Sequence, residues 1–385
     1  MHAVRTRQNV LPLVLLVAAC MAQLIPDATA QTNVLERGTN ATDETGPLKK
    51  ARSPHDRYTT GIVTGDPNGA AFAAADEIAV LIATGQETGP HGEVALRVAP
   101  MVGDGGLQNI RDVLTLADAD MSIVPEALLN RARAVPGLDD VRTRIVYIAP
   151  LYVEEFHLIA LFTIQNINEL AGKTVNLGVK NSDIAVLGGE IFERLGLKVN
   201  VVNLDHSAAM SALRKREIAA DLVLSRKPEA SLVSYTASEA LEDGLHLIAI
   251  PYLPALKDFL PATLTYDDYP NLILPGQSID TIGTRSVLIA YNWPKGSDRY
   301  RLLDLFAHAL FLRFSELQTG PHHLKWREVN LAATLPGWSR FPPARRWLDQ
   351  QEFDSFLSKF GNGAATDRER LFDDFLRWRE QSGGG

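Results

Sequence analysis

Gly103-Asp104-Gly105-Gly106-Leu107-Gln108-Asn109 stands where one sequence periodicity gives way to another. Upstream, Glu93-Val94-Ala95-Leu96-Arg97-Val98-Ala99-Pro100 alternates as a half-buried strand does. Downstream, Leu107, Ile110, Leu114 and Ala117 fall on one helical face. The glycines therefore occupy a strand-to-helix junction. Such a junction leaves backbone N–H groups without intrahelical partners at the positive end of the helix dipole, and glycine lets a ligand come close to them. Two readings are open here, an anion site and a plain tight loop.

Two other stretches have the same build. Thr64-Gly65-Asp66-Pro67-Asn68-Gly69 opens a helix carrying Phe72, Ile78, Leu81 and Ile82. Gly178-Val179-Lys180-Asn181-Ser182-Asp183 follows Thr174-Val175-Asn176-Leu177 and opens a helix with Leu187, Ile191 and Leu195. Ser182 or Asn181 suits the cap of that helix, a role that needs no ligand. Three loops at the carboxyl ends of candidate strands can instead converge on one polar cleft.

Outward from these loops, candidate strands at 61–63, 94–99, 121–124, 145–149, 157–162, 174–179, 199–202, 221–224, 245–250 and 285–290 alternate with helical patterns at 70–84, 107–116, 127–134, 183–195, 207–217 and 299–317. The alternation predicts an α/β fold with mainly parallel sheets, whose ligands bind beyond the carboxyl ends of strands. The chain has 385 residues, beyond the roughly 250–300 at which a single core stops growing, so two lobes are expected. A net charge of −8 argues against nucleic acid as a partner.

Residues 1–30 read as a secretory signal: Arg5 and Arg7 precede an apolar run from Val10 to Ala19, and Ala28-Thr29-Ala30 is a small-residue cleavage pattern. Val17-Ala18-Ala19-Cys20 also fits a lipoprotein processing box, so either cleavage after Ala30 or lipidation at Cys20 is open. Both lead to a periplasmic protein. Cys20 is the single cysteine, which leaves the folded part without disulfide or thiol chemistry. Residues 31–57 form a polar lead-in, and 362–385 a tail in which Leu371, Phe372, Phe375, Leu376 and Trp378 outline an amphipathic helix.

The Gly65/Gly69 loop, Gly105-Gly106-Leu107-Gln108-Asn109 followed by Ala119-Asp120-Met121-Ser122-Ile123-Val124, Tyr147-Ile148-Ala149-Pro150-Leu151-Tyr152, and Ile167-Asn168-Glu169-Leu170-Ala171-Gly172-Lys173-Thr174-Val175 leading to Ser182 resemble the TAXI-type solute receptors of tripartite (TRAP) transporters. The resemblance spans roughly 58–347. It implies a two-lobed type II periplasmic binding protein, each lobe a mainly parallel sheet flanked by helices, with two crossover strands. Lobe 1 would comprise 58–150 and the return segment 251–361, and lobe 2 would comprise 151–250.

Function by this resemblance would be capture of a small organic anion by lobe closure, with delivery to a membrane permease. An exported sensor or scaffold of the same fold is the alternative. Carried over by position, the ligand-binding residues are Gly65, Gly69, Gly106, Gln108, Asn109 and Ser182, with Asn181 beside the cap and Lys180 and Arg226 as cations. Several positions depart from the family pattern. Gly106 replaces a serine, Ala71 and Phe72 replace tyrosines, Pro125-Glu126-Ala127 replaces a Gln-Ser-Asp type end, and Asp183 follows Ser182. Glu126 and Asp183 would repel a carboxylate if both lined the cleft unpaired.

No nucleophile elbow, phosphate loop, His-Glu-x-x-His helix or calcium loop occurs. No enzyme activity, cofactor or metal is therefore expected. Adjacent acids such as Glu154-Glu155 are more often solvated than catalytic, and with Tyr152 they fall near the expected first crossover, at the hinge or on its surface. The crossovers are expected near 157–162 and 245–250.

Overall fold

The computed structural model describes residues 58–84, 96–360, 370–373 and 375–377; the expected signal and lead-in, Trp378 and most of the tail lie outside them. In chain order the elements are β1 (Thr59–Thr64), α1 (Ala70–Thr84), β2 (Arg97–Val102), α2 (Gly106–Thr115), β3 (Met121–Pro125), α3 (Glu126–Ala132), α4 (Val141–Arg144) and β4 (Ile145–Leu161). Then come β5 (Thr174–Asn176), α5 (Asp183–Arg194), β6 (Asn200–Val202), α6 (His206–Arg214), β7 (Ala220–Ser225), α7 (Ala230–Val233), α8 (Ala237–Asp243) and β8 (Leu245–Ile248). The remainder is β9 (Leu260–Thr265), β10 (Ser278–Tyr291), α9 (Asp298–Thr319) and α10 (Pro342–Phe360).

The strands form one sheet in the order β2-β1-β3-β10-β4-β7-β5-β6, with β8 on β4 and β9 on β10. Within it, β2-β1-β3 and β7-β5-β6 are two parallel trios. Between them run β4 and β10, antiparallel to each other and to the trio strands beside them. At 17 residues, β4 can extend about 55 Å. Its residues 145–155 pair with β10, and 155–160 pair with β7. The architecture is therefore two mainly parallel halves joined by two crossover strands.

Two expectations about those crossovers need correction. Segments 145–149 and 157–162 belong to one strand, because the ladder shifts register beside Pro150, between Arg285 and Val287, and so accommodates a residue with no N–H to donate. The second crossover is β10, whereas the strand at Leu245–Ile248 lies on β4. Ile250, Leu256 and Phe259 pack with Phe156 and Leu222, and Leu264, Tyr269 and Ile273 pack with Ile159 and Leu247. The chain thus stays with the second half until β10 carries it back.

Each half has helices against its sheet. In α1, Ala74, Ala75, Ile78, Leu81 and Ile82 are buried, the i, i+4, i+7, i+8 stripe of a core-facing helix. They join Leu303, Phe306, Leu310 and Phe314 of α9 in one cluster with Trp326. Burial of each large side chain stabilises by about 1.5–3 kcal/mol. The aromatic segment after α9 also packs inward: Trp338 donates to Asn130 Oδ1 at 2.9 Å, and the Trp347 ring meets Phe311 at 5.4 Å. In the tail, Phe372 and Phe375 pack on Phe353 of α10.

Candidate functional site

The three glycine-bearing loops meet. Residues 65–71, 102–105 and 178–184 line one cavity of about 960 Å³, together with 123–125, 205–207, 221–225 and 229–231. Most of these segments follow the carboxyl ends of β1, β2, β3, β5, β6 and β7, where an α/β sheet offers its loops and helix N-termini. Both halves contribute, and Glu154 of the crossover β4 closes the floor between them.

Where the halves touch, backbone meets backbone. Gly105 and Gly106 have φ of 77° and 58°, the left-handed region that favours glycine. A Cβ on Gly106 would lie 2.1 Å from the Asn181 carbonyl oxygen. This contact explains why Gly106 stands where a serine is expected: no side chain fits. Gly106 N–H donates to Asp183 Oδ1 at 3.0 Å, so the anion held at the α2 N-terminus is the protein's own carboxylate. Arg131 of α3 and Glu190 of α5 pair across the same seam at 2.8 Å.

The expected binding residues divide accordingly. Gly65, Gly69, Lys180, Asn181 and Ser182 line the cavity, and Ser182 also caps α5 by accepting from Ala185 N–H at 3.3 Å. Gly106, Gln108, Asn109 and Arg226 lie outside its lining. Asn109 is buried and its Oδ1 accepts from Gly105 N–H at 3.1 Å, while Gln108 donates to Asp112 at 2.8 Å. Arg226 reaches Glu77 of α1 at 3.1 Å with its guanidinium over the Tyr152 ring, an ion pair between the halves. Glu126 is also away from the lining; it lies 3.7 Å from Arg285.

The adjacent acids of β4 are buried, contrary to the solvated reading, and they face different partners. Glu155 pairs with Lys325 at 2.6 Å and accepts from Lys227 N–H at 3.1 Å. Glu154, 5% exposed, accepts from Ser286 Oγ at 2.8 Å. Burial pushes Glu154 up to about 7, and the nearby Asp183 charge adds to that rise against the opposing pull of Ser286 and Arg226. Asp183 is likewise pushed up by desolvation, to about 6, with the Gly106 hydrogen bond opposing.

A second polar network on the opposite wall has no counterpart in the sequence reading. His206 Nδ1 lies 2.8 Å from Asp221 Oδ2 and its Nε2 lies 2.8 Å from Ser231 Oγ. Asp221 also accepts from Asn176 Nδ2 at 2.7 Å, and Ser231 Oγ donates to Glu229 Oε2 at 2.5 Å. This resembles a Ser-His-Asp triad in outline only. With the Ser231 proton directed at Glu229, Nε2 would donate to Oγ and Nδ1 to Asp221, the arrangement of an imidazolium. Burial lowers the His206 pKa, but Asp221, by hydrogen bond and charge, and the Glu229 and Asp205 charges leave it raised above 6.5. In that arrangement the ring is a donor to Ser231 rather than its base.

Residues 62–302 match the model of the NMT1-like family, more than half of the chain, and the protein belongs to that family. Its fold is the α/β, two-lobed type II periplasmic binding protein fold that the sequence led us to expect. Among curated proteins none matches the sequence. Among solved structures, one described as a periplasmic transporter is 16% identical, with 78% of this chain and 96% of that chain covered at a TM-score of 0.38. The GLUR0 ligand-binding core in complex with L-glutamate is 14% identical, over 68% of this chain and 97% of that one, with a TM-score of 0.39. The effector-binding domain of QuiR in complex with shikimate is 10% identical, over 65% and 95%, with a TM-score of 0.37.

Proposed function

We propose that this protein is an exported, periplasmic receptor that captures a small organic solute between its two halves and hands it to a membrane permease, as the resemblance to TAXI-type receptors implies. The observation that carries this reading is the 960 Å³ cavity. It is built from strand-end loops of both halves over a crossover floor, the place and size at which a small molecule is enclosed. Closure would flex β4 and β10, the two strands common to both halves. In this reading the role is binding without catalysis.

The expected anion fits this lining poorly. The α2 N-terminus is taken by Asp183, and Arg226 is taken by Glu77. A sensor or scaffold without a permease is favoured only by that self-made seam, which joins the halves through protein groups alone. Thermal-shift screening against amines, organic acids and neutral metabolites tests the receptor reading. A midpoint that climbs with solute concentration is expected; no response to any class would contradict it.

A further inference from the structure

We infer that the solute of this cavity is an organic cation, a primary amine or guanidine whose charged end sits between Glu154 and Asp183. The inference rests on the receptor reading and adds the chemical class. Its first support is the charge of the lining. Asp66, Asp104, Glu154, Asp183, Asp205, Asp221 and Glu229 face the cavity, and among the described residues that line it the cations are Lys180 and His206. Lys180 is exposed, and His206 is bound to Asp221 and Ser231. Most of the acids also have protein donors: Asn68 N–H for Asp66, Ala208 N–H for Asp205, His206 and Asn176 for Asp221, and Ser231 with Leu232 N–H for Glu229.

The second and independent support is Glu154 itself. It is more than nine-tenths buried, it lines the cavity, and Ser286 bonds one of its oxygens. Its Oε1 has no hydrogen-bond partner among the described residues. A buried carboxylate oxygen that faces a cavity without a donor is a group awaiting one. Asp183 on α5, Arg226 after β7 and Glu155 on β4 are the charges around it; Arg226 and Glu155 are each bound to an opposite charge elsewhere. An ammonium or guanidinium would supply donors to Glu154 and to the Asp183 oxygen that Gly106 leaves open. A carboxylate at the same place would be repelled by each of these carboxyl groups in its ionised form.

Isothermal titration at pH 6.5 with 1,4-diaminobutane and agmatine, against succinate and 1,4-butanediol as matched controls, decides the class. Heat from the amines alone is expected, with protons released to the buffer, because a cation draws Glu154 and Asp183 into their charged forms. Glu154→Gln and Asp183→Asn should each weaken the amine by about tenfold or more. Proton release in the unsubstituted protein is a readout that does not depend on how the variants fold. Binding of succinate or butanediol without the amines would overturn the cation class and leave the receptor reading intact; amine binding undiminished in both variants would overturn its placement between Glu154 and Asp183. Failure of all four to bind would overturn the cation class, while the receptor reading falls only with no response across the wider thermal-shift screen.

Discussion

One cavity carries two sets of carboxylates, and they differ in what they touch. On the wall, Asp221 and Glu229 are enclosed by His206, Asn176, Ser231 and a backbone N–H. At the seam, Glu154 and Asp183 have one donor each among the described residues, Ser286 and Gly106 N–H. A count of acids would treat them alike. Their hydrogen bonds separate an acid that holds the fold from one that keeps capacity for a ligand.

The contrast predicts opposite responses to the same change of carboxylate to amide. Asp221→Asn should give the largest effect, a loss of roughly 3 kcal/mol in urea unfolding, because it strands a half-buried imidazolium. The His206 contribution is complete below pH 6.5, its ordinary value, and is lost as pH rises through its raised folded value. Equal stability of the variant and the parent at pH 6 would break the assignment of the wall.

Glu154→Gln should act the other way. A carboxyl raised from 4.5 to about 7 in the folded state contributes stability that is present below its unfolded value and lost as pH rises through the folded one. At pH 8 the glutamine protein should therefore be the more stable, by roughly 3 kcal/mol. Below pH 4.5 the two should unfold alike. A variant less stable at pH 8 would show that Glu154 already has a compensating partner.

The smallest effect belongs to the rim of the seam. Arg131→Gln removes its ion pair with Glu190, in which the Arg131 side chain is 44% exposed, and such pairs contribute about 0–1 kcal/mol. A loss beyond that range in the same unfolding assay would show that closure depends on the rim rather than on the Gly106–Asp183 contact.

The alternating elements and the three loops were legible because strand and helix periods and glycine junctions are local signals. The same logic allowed the three loops to share a cleft, and the family resemblance named Gly65, Gly69 and Ser182 on them; all three line the cavity. What the sequence hid was contact between distant residues. Arg226 and Glu77 stand 149 positions apart, so nothing near Arg226 announced that its charge was taken. Asp183 looked like a repulsive neighbour of Ser182; its bond to Gly106, 77 positions away, makes it the anion of the α2 N-terminus. Continuity of β4 was hidden by Pro150 and by two charged residues that read as hinge or surface positions until Lys325 and Ser286 supplied partners from elsewhere in the chain.

Hydrogen–deuterium exchange of the protein with and without a stabilising solute tests the central claim, that the solute lies where the two halves meet. Slower exchange is expected in the amides of 64–70, 103–109 and 178–184 together, with the floor around Glu154 also protected. Protection confined to one half, or to α9 and α10 away from the loops, would contradict it.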